Sequence, residues 1–186
     1  MSQLSSVAQI SLLSRLAIAF ISLVLCLALF HDQLSLALVA RGDVFLRRGN
    51  LVRSQIYYGR VVLLDSHSVL AADRFAFVGY QIRTPRSLAD AISVSSAALV
   101  IEPGNVELLY DRAMCFRLLH RDSDALADFQ RAAGKSHDAR MYRFAAWAAY
   151  RTGLRRKALS FWQLAQTLDP HSIVPTFVLK GEGLDK

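Results

Sequence analysis

The sequence predicts an all-α fold: a superhelical stack of helix-turn-helix units preceded by one transmembrane helix. Three observations carry this. A pattern of small, large and turn-forming residues returns every 33 to 37 residues. Turn formers such as Arg48-Gly49-Asn50, Thr84-Pro85 and Glu102-Pro103-Gly104-Asn105 punctuate it. A run of fifteen uncharged, mostly apolar residues, Leu16 to Phe30, precedes it. A fixed period in this range is the mark of stacked helical pairs, each of which buries its apolar face only against its neighbours.

The apolar run is the first element. A bilayer span needs about 20 apolar residues. Starting at Ile10, with Arg15 reaching back toward the headgroups, the segment 10–30 is long enough. His31-Asp32-Gln33 reads as the exit from the bilayer, so residues 1–33 form an N-terminal segment. A cleaved signal peptide and a buried first repeat helix are the competing readings. A short head before an anchor favours export of the chain beyond it, although Arg41, Arg47, Arg48 and Arg53 lie on that far side. The expectation is a single-pass bacterial inner-membrane protein with its domain in the periplasm.

Four units come next, over residues 35–68, 72–105, 106–138 and 139–172. The first runs from Gly42 and Phe45 through Ser54, Tyr58 and Val61 to Ser66. The second runs from Gly79 and Ile82 through Ala91, Ser95 and Ala98 to Pro103. Val69-Leu70-Ala71 stand between them as an insertion expected to disturb the stack. In the third unit Leu109, Arg112, Ala113 and Phe116 share one helical face. Asn105 caps its first helix, Asp124 caps or charges its second, and Ala125, Phe129 and Ala132 form the second stripe. Ala113 and Ala125 are small where the paired helices cross. The fourth unit repeats the pattern with Ala146, Ala158, Trp162 and Ala165, and Gly153 ends its first helix. Residues 173–186 are expected to supply a capping helix and a tail.

These residues resemble the tetratricopeptide repeat (TPR) family, whose units pair two helices in about 34 residues. Gly79, Ala91, Ala98 and Pro103 match it in one unit. Ala113, Phe116, Ala125, Phe129 and Ala132 match in the next. Ala146, Gly153, Ala158, Trp162, Ala165, Asp169 and Pro170 match in the last. Ser54 and Ser66 depart from it, standing where alanine and proline are usual. The resemblance implies a right-handed superhelix whose first helices line a concave groove. It places Tyr80, Arg83, Tyr110, Met114, Arg117, Arg140, Arg143, Trp147, Tyr150 and Arg151 on that groove. An arginine and aromatic stripe of this kind suits an acidic or helical segment of a protein partner. The family's carboxylate clamp is not expected, because Val39, Asp43 and Ala76 stand where it would be built.

Composition limits the alternatives. The net charge is +7, and arginine dominates it, lysine appearing only at Lys135, Lys157, Lys180 and Lys186. That balance admits a basic binder of nucleic acid, anionic polymer or lipid surface as the second function class. Nucleic acid is the weaker reading, since Arg155-Arg156-Lys157 is short and reads as a solvated helix start. His31, His67, His120, His137 and His171 are scattered without metal-ligand spacing. No phosphate loop and no catalytic constellation appears, so no enzyme, metal or cofactor is expected. Cys26 and Cys115 do not form a disulfide framework.

Overall fold

In the computed structural model residues 2–171 are described, with side chains from Ala17 onward. The expected capping helix and tail at 173–186 lie outside the described residues. Among the described residues, eight α-helices make four hairpins: α1 (Ser2–Arg47) with α2 (Leu51–Leu64), α3 (Val69–Ile82) with α4 (Pro85–Ile101), α5 (Val106–Leu118) with α6 (Asp122–Ser136), and α7 (Ala139–Arg151) with α8 (Arg155–Leu168). Each helix packs on its hairpin partner and on the next helix in sequence, and α3 also packs directly on α5.

The starts of the helices are written locally. Asn50, Ser68, Thr84, Asn105 and Asp138 each cap a helix by accepting from a backbone N–H of its first turn. Such a cap is worth ~1 kcal/mol. Pro85 occupies the first turn of α4, where its missing N–H costs nothing. Asp124 does not cap α6. It charges the first turn, and its Oδ2 accepts from Arg121 Nε at 2.7 Å. Gly153 takes the left-handed φ of +80° expected of it at the end of α7. Arg83 and His137 take similar left-handed angles, φ 62° and 51°, at the ends of α3 and α6.

Small residues let the helices of each hairpin touch. A Cβ on Gly79 would lie 2.7 Å from that of Ala91 and 3.1 Å from the Ser87 carbonyl. A Cβ on Gly42 would lie 2.5 Å from the Tyr58 ring. Ala113, Ala125 and Ala146 are fully buried, and Ala158 almost so, at the equivalent places. Phe129 and Trp162 are buried as the large members of the same apolar core. The serine at position 54, unusual for its place, has a structural reason: its buried Oγ donates to the Gly42 carbonyl at 3.0 Å. A buried ion pair ties three helices together. The Arg112 guanidinium donates from Nε and Nη2 to both Asp128 oxygens at 2.7 and 2.8 Å, and from Nη1 to Ser96 Oγ at 2.9 Å.

Helix α1 runs unbroken from Ser2 to Arg47 through His31-Asp32-Gln33, roughly 70 Å long at 1.5 Å per residue. Its C-terminal third packs on α2 as the first helix of the first hairpin. One expectation is corrected: Val69-Leu70-Ala71 are not an insertion. They are the first turn of α3, begun by the Ser68 cap, and Ala71 is fully buried.

Candidate partner-binding groove

The first helices α3, α5 and α7 each contribute aromatic side chains to one continuous ladder. Phe77 meets Tyr80 edge-on at 5.4 Å, and Tyr80 meets Tyr110 edge-on at 6.3 Å. Tyr110 then contacts Phe144 at 5.4 Å, and Phe144 stacks on Phe129 at 5.2 Å. Such geometries add about 0.5–1.5 kcal/mol per pair beyond burial. They hold the three helices in a fixed lateral order.

Arginines decorate the ladder. The Arg140 guanidinium lies 5.5 Å over Tyr110. That of Arg117 lies 5.4 Å from the Trp147 ring and 5.9 Å from Phe144. Arg151 lies 5.8 Å from the same indole, and its Nε donates to Asp122 Oδ2 at 3.2 Å. Cation–π contacts of this kind orient the guanidinium and leave part of its N–H edge for other acceptors.

The structure thus brings Tyr80, Tyr110, Arg117, Arg140, Trp147 and Arg151 together. Tyr80 and Met114 are core residues, each 8% exposed, and offer a partner little surface. Arg143 is turned to its own hairpin, where Nη1 donates to Asp169 Oδ2 at 3.1 Å at the end of α8. Arg83 forms the exposed C-cap of α3, and Tyr150 is exposed on the last turns of α7.

Sequence reasoning missed the acidic part of this surface. A cavity of about 270 Å³ opens between α3, α5 and α7, lined by Asp73, Arg74, Tyr80, Glu107, Tyr110, Asp111 and Arg140 among others. Asp111 is 4% exposed, and no hydrogen bond or ion pair reaches its carboxyl group among the described residues. Burial, reinforced by the Asp73 and Glu107 charges, pushes its pKa from an ordinary 3.8 up to about 8. Asp73 is pushed up too, first by burial and then by Glu107, with Arg74 opposing. Burial raises the Tyr80 phenol to about 12, the Asp111 charge adding to it. The signal lay in the third unit, where Glu107 and Asp111 stand four apart on one helical face beside the core stripe. Nothing in the linear pattern announces that Asp73 of the preceding unit joins them. Among the described residues, no group of three or more His, Cys, Asp or Glu side chains is placed to hold a metal ion.

The same arrangement of hairpins occurs in solved structures of MamA. One superposes with a TM-score of 0.67 at 16% identity, over 73% of this chain and 78% of that one. MamA of Desulfovibrio magneticus RS-1 gives 0.66 at 14% identity, over 75% and 78%. MamA of MSR-1 gives 0.63 at 18% identity, over 73% and 77%. At these identities the likeness shows the fold: an all-helical, TPR-like stack. No family model matches the chain, and no curated protein matches it either.

Proposed function

We propose that the protein is a membrane-tethered interaction module, a scaffold or small subunit of a bacterial envelope complex, which holds a protein partner in its concave groove. The observation that carries this reading is the continuity of α1. Its most apolar stretch within Ala17–Arg47 has a mean hydropathy of 1.9 and no buried residue, and the same helix then becomes the first wall of the hairpin stack. Such a helix, left bare along its apolar length, suits lipid as its surroundings. Leu64 at the end of α2 lies beside the expected bilayer exit, its carbonyl 3.2 Å from His31 Nε2, and Leu63 beside it is 87% exposed. These residues fit a membrane-proximal end of the stack. The tethered domain, the stack of four hairpins, stands in the periplasm in this reading.

The groove offers planar cations and aromatic faces on one rigid wall, the chemistry that anchors an acidic or helical peptide. No step of a reaction is assigned to it. The test is retrieval of a stoichiometric partner by the full chain in an uncharged detergent. Loss of that partner with Trp147→Ala combined with Arg117→Glu is expected, at unchanged helical content. Equal retrieval by the double variant overturns the groove reading. Cleavage of the repeat domain by protease in spheroplasts is expected, and protection there overturns the periplasmic placement.

A further inference from the structure

The floor of the groove carries a feature that the arginine stripe does not use. Asp111 lies at the bottom of the α3/α5/α7 cavity, more than nine-tenths buried and without a partner among the described residues. Asp73 and Glu107 line the same cavity and add to its negative field. An ionised carboxylate so placed is costly unless a cation meets it. Neighbouring cations do not fill that role. Arg140 is held over the Tyr110 ring, and Arg74, whose buried Nε lacks a hydrogen-bond partner, acts on Asp73 rather than Asp111. Tyr80 and Tyr110 border the space.

We propose that this cavity is a recognition notch for one arginine side chain of the partner polypeptide, whose guanidinium pairs with Asp111. The inference rests on the groove reading and names the chemistry of its central contact. A cavity of about 270 Å³ accommodates a long side chain, liquid water occupying ~30 Å³ per molecule. A planar, delocalised cation suits the site, since it forms a two-point contact with a carboxylate. A compact metal ion is not favoured, because the carboxylates among the described residues do not converge on one point. The partner segment therefore carries a basic residue at its centre, with acidic residues meeting Arg117 and Arg151 further along.

Entry of a guanidinium draws the proton off Asp111, so binding and deprotonation are coupled. The groups acting on Asp111 are Asp73 and Glu107. Tyr80 and Tyr110 border it, Cys115 lies on its own helix, and Arg74 and Arg140 stand across the cavity. With the phenols and thiol pushed above their ordinary values, Asp111 is the group expected to titrate around pH 8.

The test uses the full chain in an uncharged detergent and a fluorescein-labelled nonapeptide with one central arginine in a glycine-serine sequence, read by anisotropy. Its counterpart carries citrulline, the neutral isostere. At pH 8 the arginine peptide is expected to bind at least tenfold more tightly than the citrulline peptide, and this preference is expected to weaken by about tenfold at pH 6. Asp111→Asn is expected to abolish the preference at unchanged helical content, and Glu107→Gln to reduce it. Equal binding of the two peptides overturns the notch. So does a preference that survives Asp111→Asn. Neither result depends on the partner capture that tests the groove as a whole, so the two readings fail separately.

Discussion

Replacing Asp111 with asparagine should stabilise the fold, and the amount should depend on pH in a defined way. The carboxyl group has an ordinary pKa of 3.8 in the unfolded chain and about 8 in the folded one. Between those values the unfolded state gives up a proton that the folded state keeps, so stability falls as pH rises. A tenfold change in proton affinity is worth ~1.4 kcal/mol. The contribution is therefore fully favourable below about pH 4, declines by ~1.4 kcal/mol per pH unit, and levels off above about pH 8. The whole excursion is on the order of 6 kcal/mol. The asparagine variant has no such dependence and keeps the shape of the side chain. Asp73, also raised by burial, leaves a shallower slope of the same sign in the variant. The assay is urea unfolding of the full chain in detergent, followed by helical circular dichroism from pH 4 to 9. Wild type and variant are expected to coincide near pH 4 and to separate by several kcal/mol at pH 8.5. For a chain of this length that corresponds to a rise in Tm on the order of 10 °C. Parallel curves with a constant offset would refute the reasoning. So would a variant less stable than the wild type at pH 8.5.

Three further outcomes are expected from the packing. Gly79→Ala drives a methyl to 2.7 Å from Ala91 Cβ and 3.1 Å from the Ser87 carbonyl, and overpacking of this kind costs ~1–3 kcal/mol in denaturant unfolding. Arg112→Ala leaves Asp128, 3% exposed, without its bidentate partner and should cost ~3–5 kcal/mol, and restoring a compact apolar pair with Asp128→Leu should recover much of it. Cys115 is fully buried and its thiol is pushed up to about 12, chiefly by burial, so mass spectrometry after maleimide treatment should show it unmodified until denaturant is added.

Much of the fold was legible in the chain because its information is local and periodic. Gly79 against Ala91, and Ala113 against Ala125, recur at offsets that only antiparallel helices explain, and the Asn105 cap is visible in its turn. The run His31-Asp32-Gln33 leaves no break in α1, because polarity marks contact with water, and helices continue through water. Ser54 looked like a flaw in the repeat because its use depends on the Gly42 carbonyl across the hairpin. The candidate groove was half legible. Arginine and aromatic residues at helical spacing could be assigned to first helices. That Arg143 would turn to Asp169, and that Met114 and Tyr80 would sink into the core, depends on neighbours in other helices.

By itself, the order of residues determined most of the turns between helices, which faces are apolar, and which notches allow pairs to nest, since these depend on neighbours one turn or one hairpin away. Tertiary structure alone decided that Asp73 of one unit and Glu107 and Asp111 of another share a cavity, and that no cation among the described residues closes on Asp111. The reason is electrostatic. The effect of a charge is set by the dielectric and the charges around it in space, and helix stacking brings those together across distances in sequence that no repeat pattern records.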